Sequence, residues 1–127
     1  MLNVIAYDFG TTGVKTCLFR IDEKIELNGD SYGSYKLYIL DNGGAEQDPD
    51  EWWSAMCTTT KEVLETTGVS ADDISGISFC SQMQGLVLVD KDCNALRRAM
   101  SYMDQRAEKE MKDTIGHGIQ ISGANIF

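Results

Sequence analysis

The sequence predicts a mixed α/β domain whose sheet begins with three antiparallel strands. Residues 2–8 form a β-rich apolar run, and a turn with two glycines follows at residues 10–13. Side chains alternate from Val14 to Ile21 along a second strand, which is typical of a hairpin. A third strand is predicted from Tyr32 to Leu40, after the turn-prone residues 28–30. A dinucleotide-binding fold lacks this antiparallel start.

The first helix has explicit start and stop signals. Asp48 is a good N-cap, Pro49 suits the first helical position and Glu51 completes a capping box. Gly68 is expected to end the helix. We expect the side chains that recur at helical spacing between these ends, the paired tryptophans included, to pack in the core. These are Trp52, Trp53, Met56, Cys57, Thr60, Val63 and Leu64.

Two short strands and a second helix are predicted in the rest of the chain. The strands run from Ile74 to Cys80 and from Leu86 to Val89, and the helix runs from about Asp104 to Ile115. The resulting order is β-β-β-α-β-β-α, which is that of a mixed α/β domain.

Composition limits the classes of function. The 127 residues, 43% of them hydrophobic, can form one modest domain with a core. The net charge of -9 would repel a phosphate backbone, so no nucleic-acid partner is expected. ATP can still bind such a chain through local backbone amides and a magnesium ion. No apolar run reaches membrane-spanning length and the N-terminal residues are not basic, so we expect neither a membrane anchor nor a secretory signal.

The four cysteines show no C-x-x-C pair and no zinc-like spacing. We expect buried, reduced thiols in a cytoplasmic protein rather than disulfides or metal ligands. They are Cys17, Cys57, Cys80 and Cys93.

Residues 8–15, Asp-Phe-Gly-Thr-Thr-Gly-Val-Lys, have the groups that phosphoryl transfer needs. A tight turn with two glycines exposes its N–H groups, and Thr11 and Thr12 add hydroxyl donors. Asp8 can hold magnesium through water, and Lys15 can reach back over the turn. A plain hairpin with polar turn residues is the alternative interpretation, and the octapeptide alone favours neither.

The octapeptide resembles the first phosphate motif of the FGGY carbohydrate kinases, and three further blocks follow in that family's order. Residues 44–53 resemble its E-Q-D-P-x-x-W-W segment at the first helix. Residues 76–85 are similar to the G-I-x-x-x-x-Q-M-H-G strand of xylulokinases, and residues 101–106 resemble their W-x-D-x-R block. Gln84 and Tyr102 depart from this pattern, since xylulokinases usually have His and Trp there. This leaves the identity of the sugar open.

The resemblance implies an RNase H-like fold, as in actin and hexokinase, and an ATP- and magnesium-dependent kinase that acts on a sugar or polyol. The residues that it places at the ATP phosphates and magnesium are Asp8, Gly10, Thr11, Thr12 and Lys15, with Asp8 holding the metal through water. The residues that it places at the sugar are Gln82, Met83, Gln84, Asp104 and Arg106.

Structural roles are the alternative for the sugar residues. Gln82 and Gln84 can satisfy backbone groups at a strand end. Asp104 can cap a helix, with Arg106 as its salt-bridge partner.

The resemblance also implies that the domain is incomplete at its C-terminal end. In the family, the aspartate base and the adenosine pocket lie beyond the position of Phe127, so no catalytic residue is expected in this chain and the chain alone is expected to be inactive. Uncovered apolar surface and a free strand edge predict a homodimer or higher oligomer. Two other functions remain open: a non-catalytic domain that binds a sugar or nucleotide or oligomerises, and an actin-like ATPase, against which the Gln-Met-Gln-Gly strand argues.

Overall fold

The computed structural model of the protein describes residues 1–115, with side chains through Asp113. Seven strands and one long helix make up most of it. The strands are β1 Leu2–Phe9, β2 Gly13–Ile21, β3 Ile25–Ser34, β4 Tyr38–Ile39, β5 Ala45–Gln47, β6 Ile74–Ser81 and β7 Ala99–Met100. The helices are α1 Pro49–Thr67 and the short α2 Glu108–Glu110, with a 3-10 turn at Ala71–Asp73 and a π-helical turn at Met111–Ile115.

The main sheet has the strand order β3-β2-β1-β6. Strands β1, β2 and β3 are successively antiparallel, which confirms the predicted antiparallel start. Strand β6 returns after α1 and pairs parallel to β1. Because β1 is central, Asp8 has Lys15 as its neighbour on one side and Cys80 on the other. A second, small sheet has the order β4-β5-β7.

The third strand differs from the prediction, because it ends at Ser34 rather than extending from Tyr32 to Leu40. The turn-prone residues 28–30 lie inside it, beside a register shift opposite Leu18 and Phe19. Pairing along the whole of β2 outweighs the local turn preference. Gly29 has a packing role, since a Cβ there would lie 2.4 Å from Thr67 Cγ2 of α1.

Helix α1 begins and ends as predicted. The Asp48 carboxylate accepts from the Asp50 amide, and Gly68 ends the helix in the left-handed region at φ 70°. The predicted capping box does not form. The Glu51 carboxylate accepts instead from the Lys36 amide and the Tyr38 hydroxyl, at 2.9 and 2.6 Å, so it joins the helix to the segment after β3.

The core lies between α1 and one face of the main sheet. From the helix it includes Ala55 and Val63, and from the sheet Val14 and Leu18. One polar pair is buried among them, Thr16 Oγ1 and Thr59 Oγ1 at 2.7 Å.

The two tryptophans are not equivalent. Trp52 packs against the core as predicted, but Trp53 is 64% exposed, so its prediction is wrong. Successive helical residues point about 100° apart, and both cannot face the sheet.

Residues 1–115 leave part of the other face of the main sheet uncovered, at the end away from the β1–β2 turn. Leu2, Ile25 and Leu27 lie on this face by strand alternation and are 52%, 71% and 56% exposed.

Among residues 1–115, no helix combines the length and apolar character needed to cross a membrane.

The chain after β6 is less regular than predicted. Leu86 to Val89 makes only isolated bridges, with Met100 and Ala95, instead of a strand. Helix α2 begins at Glu108 rather than near Asp104, whose carboxylate binds other groups.

The cysteines are all free, but their predicted burial is only partly correct. Cys17 and Cys57 are half-buried, whereas Cys80 and Cys93 are exposed. Both exposed cysteines lie on the β6 strand or in the irregular segment after it, where fewer side chains cover the chain.

Candidate functional site

Tyr35 lies under the turn between β1 and β2 and holds it from behind. Its hydroxyl donates towards the Gly10 carbonyl at 2.5 Å and the Gly13 carbonyl at 3.0 Å. Its backbone amide donates to the Thr12 carbonyl at 3.3 Å. Burial raises the pKa of Tyr35 to about 12, so the hydroxyl stays protonated and remains a donor at neutral pH.

Gln47 of β5 holds the remaining carbonyl of the turn. This side chain is 1% exposed, and its Nε2 donates to the Thr11 carbonyl at 2.7 Å. The carbonyl oxygens of residues 10–13 are therefore all bound from within the protein. The amides of Thr11 and Thr12 donate no hydrogen bond to residues 1–115. Successive free amides on a turn are groups that can bind an anion.

Two threonine hydroxyls lie on the same turn. Thr11 Oγ1 lies 3.4 Å from the Tyr102 hydroxyl, and Thr12 Oγ1 lies 3.1 Å from the Tyr32 hydroxyl. Both pairs are exposed, so the threonine hydroxyls can exchange these partners for a ligand oxygen.

Asp8 is exposed at the end of β1, next to the turn. The hydrogen bond between the Cys80 thiol and the Asp8 carboxylate raises the pKa of Cys80. No group of three or more potential metal-ligand side chains occurs among residues 1–115. A single carboxylate is still compatible with magnesium, which keeps several waters and takes one or two carboxylates plus phosphate oxygens.

Lys15 does not reach over the turn in this structure. Its Nζ lies 2.7 Å from Asp30 Oδ2 on β3, and the hydrogen bond to Asp30 raises the pKa of Lys15. Half of the Lys15 side chain is exposed, and it lies on the same sheet face as Asp8, its neighbour across the β1–β2 pairing.

A cavity of about 250 Å³ lies beside the turn, at the end of β6. Gln82 and Gln84 line it, and so does Trp52 of α1. Gln82 Oε1 and Trp52 Nε1 are buried with no hydrogen-bond partner among residues 1–115. An acceptor and a donor without partners at one cavity suit a molecule with hydroxyl groups, because a hydroxyl both donates and accepts.

Gln84 and Met83 differ in their relation to this cavity. Gln84 has a φ of 65°, a left-handed conformation that is uncommon outside glycine and concentrates at functional sites. Met83 is 78% exposed and does not line the cavity.

Asp104 and Arg106 are bound to each other and to the small sheet. Arg106 Nη2 lies 2.6 Å from Asp104 Oδ2 and 2.8 Å from Glu46 Oε1, and Arg97 also pairs with Glu46. The Ala45 amide donates to Asp104 Oδ2 at 3.0 Å. Neither Asp104 nor Arg106 lines the cavity. In this structure they fasten the segment before α2 to β5.

Replacement of Asp104 by Asn is expected to change the acid stability. The Arg106 guanidinium lowers the pKa of Asp104 from 3.8 to about 2. The ionised form therefore stabilises the fold above about pH 4, and this contribution is lost as the pH falls towards 2. Asp104→Asn should be less stable than wild type at pH 7, with the difference shrinking towards pH 2, as measured by urea unfolding across this range. An equal difference at pH 2 and pH 7 would contradict this.

The sequence alone does not predict two residues of the site, Tyr35 and Gln47. Tyr35 falls inside the predicted third strand, and nothing local distinguishes it from a strand tyrosine. Gln47 stands in the segment that resembles the family, but its burial and its contact with Thr11 depend on the small sheet.

Comparison with known proteins identifies the family of the chain. Residues 3–123 match the FGGY family of carbohydrate kinases, N-terminal domain. A xylulose kinase of Bacillus subtilis (strain 168) is 36% identical over 106 residues, which are 84% of this chain and 21% of the relative. A glycerol kinase of Rhizobium meliloti (strain 1021) is 29% identical over 120 residues, 87% of this chain and 24% of the relative.

The fold is also that of solved sugar kinases. A ligand-bound xylulose kinase from Lactobacillus acidophilus matches with a TM-score of 0.79 and 25% identity over 93% of this chain and 23% of that one. This confirms the actin- and hexokinase-like fold that the family resemblance implies. The chain thus spans about a fifth to a quarter of the length of the relatives that it matches. It belongs to the FGGY family of carbohydrate kinases.

Proposed function

We propose that the chain supplies the phosphate-binding turn and part of the sugar site of an ATP- and magnesium-dependent kinase that phosphorylates xylulose or a related ketose or polyol. The observation that carries the proposal is the turn at residues 10–13, whose carbonyls are all held by Tyr35 and Gln47. Fixed amides next to a carboxylate stabilise phosphate charge without reorganisation during transfer.

On this proposal, Asp8, Gly10, Thr11, Thr12 and Lys15 face the ATP phosphates and the metal. Magnesium would be held through water by Asp8 and would neutralise charge on the transferred phosphoryl group. Lys15 would leave Asp30 for a phosphate oxygen, since an exposed surface ion pair is weak and easily exchanged.

The sugar side of the proposal uses Gln82, Met83 and Gln84, with Asp104 and Arg106 nearby. Gln82 and Gln84 have the structural support of the adjacent cavity. Asp104 and Arg106 would act by holding the cavity's border, because their polar groups already bind Glu46 and Ala45.

The isolated chain is proposed to be inactive. A sugar hydroxyl must lose a proton as it attacks the γ-phosphate, and a positioned base accelerates that step. The described residues that line the cavity include no Asp, Glu or His.

Four free cysteines and an ATP-dependent reaction favour a cytoplasmic enzyme.

A coupled kinase assay tests the function. The full-length kinase that includes this chain is assayed with ATP and magnesium. The acceptor substrates are pentuloses, hexuloses and polyols. We expect phosphorylation of at least one ketose or polyol, and none by residues 1–127 alone. Phosphorylation of no substrate at any magnesium concentration would refute the kinase proposal, and a bound but unmodified sugar or nucleotide would favour the non-catalytic alternative.

We also propose that the isolated chain forms a homodimer or higher oligomer through its uncovered sheet face. The side chains of Leu2, Ile25 and Leu27 form an exposed apolar patch, and its exposure to water is unfavourable. Sedimentation velocity at rising protein concentration should show self-association, and Leu27→Lys should weaken it. A monomer at every concentration would contradict this prediction.

A further inference from the structure

We infer that Gln47 is a positioning residue that couples the phosphate turn to the substrate strand. The inference rests on the proposed function, because it assigns a role to Gln47 within that same site. Gln47 is the buried side chain that contacts both parts: its Nε2 binds the Thr11 carbonyl and its Oε1 binds Gln82 Nε2 at 2.6 Å.

The contacts of Gln47 fix the orientation of two amide groups in series. The Thr11 carbonyl can only accept, so Gln47 must present its NH₂ group to the turn. The Gln47 oxygen then faces Gln82 and accepts a hydrogen bond from the NH₂ group of Gln82. The Gln82 oxygen is left as the buried acceptor without a partner among residues 1–115. The turn thus determines how the amide group of Gln82, a residue that lines the cavity, is oriented.

The backbone strengthens the same connection. The Gln82 amide donates to the Phe9 carbonyl at 2.7 Å, immediately before the turn. Side chain and main chain of Gln82 are therefore both tied to the β1–turn segment, one through Gln47 and one directly. A displacement of the turn by bound phosphate would move Gln82, and a displacement of Gln82 by bound sugar would move the turn.

The replacement Gln47→Met tests this role, because methionine has similar length and no strong hydrogen-bonding group. Thr59→Val is the matched control: it removes a buried polar group whose hydroxyl contacts lie in the core, with Thr16, Ala55 and Met56. In the full-length kinase we expect Gln47→Met to raise the KM for ATP and the KM for the sugar about tenfold each. Thr59→Val should lower the unfolding temperature and leave both KM values unchanged.

Hydrogen exchange gives a readout that does not depend on activity. In Gln47→Met, the amides of Gly10 and Gln82, which bond to Gly13 and Phe9, should exchange at least about tenfold faster than in wild type. Exchange in the middle of α1 should not change. In Thr59→Val, the Gly10 and Gln82 amides should exchange as in wild type.

The outcomes separate the inference from the proposed function. Unchanged exchange at Gly10 and Gln82 in Gln47→Met would overturn the inference, whatever the kinetics. Faster exchange with both KM values unchanged would also overturn it, because the side chain would then have only a structural role. Faster exchange together with a wild-type polypeptide that phosphorylates nothing would support the coupling and refute the proposed function.

Discussion

The replacement Gly13→Ala is expected to destabilise the protein by about 3 kcal/mol, at the upper end of the usual cost of overpacking. A Cβ at this position would lie 2.5 Å from the Gly33 carbonyl oxygen and 2.5 Å from the Tyr32 ring. The Gly33 oxygen belongs to the neighbouring strand, and moving it would break the β2–β3 pairing next to the turn. Equilibrium unfolding in urea measures the loss.

Gly76→Ala is the matched control for this prediction. Gly76 also lies in a strand of the main sheet, but a Cβ there meets no atom within 4 Å among the residues that the structure describes. Alanine is favoured over glycine inside a strand by about 0.5 kcal/mol, so this variant should be as stable as wild type or slightly more stable. Equal stability of the two variants would show that β2 and β3 are not packed as described.

The replacement Tyr35→Phe is expected to weaken the binding of MgATP about 10- to 100-fold, because the Gly10 carbonyl loses its donor and the Gly13 carbonyl keeps only the Gly10 amide. The freed Gly10 carbonyl oxygen can then turn towards the phosphate, where it repels the negative charge. Unfolding stability should also fall, by about 1–3 kcal/mol for a buried acceptor left unpaired. Isothermal titration of the full-length kinase with MgATP in the absence of sugar gives the affinity.

Tyr38→Phe serves as the control, because it removes a hydroxyl that binds Glu51 and does not contact the turn. Its MgATP affinity should equal that of wild type. Unaltered affinity in Tyr35→Phe as well would mean that the turn does not depend on Tyr35 for its binding conformation.

The parts of the fold that the sequence predicts well are those set by neighbouring residues. Helix α1 begins at Asp48 and ends at Gly68 because cap chemistry is local. The β1–β2 hairpin follows from alternation and a glycine turn for the same reason. The third strand is misplaced because its position depends on pairing with all of β2, which a local turn signal at residues 28–30 hides.

In the site, too, local sequence predicts some features and tertiary packing decides the others. The residue types of the turn indicate phosphate chemistry, but the groups that hold its carbonyls come from β5 and from the chain after β3. The contacts of Lys15 with Asp30, and of Arg106 with Glu46, join positions far apart in the sequence. No spacing rule predicts such pairs, because tertiary packing decides them.

We propose that the turn at residues 10–13 binds the phosphate tail of a metal-bound nucleotide. A structure of the full-length kinase with magnesium and a non-hydrolysable ATP analogue tests it most directly. We predict phosphate oxygens within hydrogen-bond distance of the Thr11 and Thr12 amides, with the magnesium ion joined to Asp8 through water. A triphosphate bound far from this turn would contradict the account.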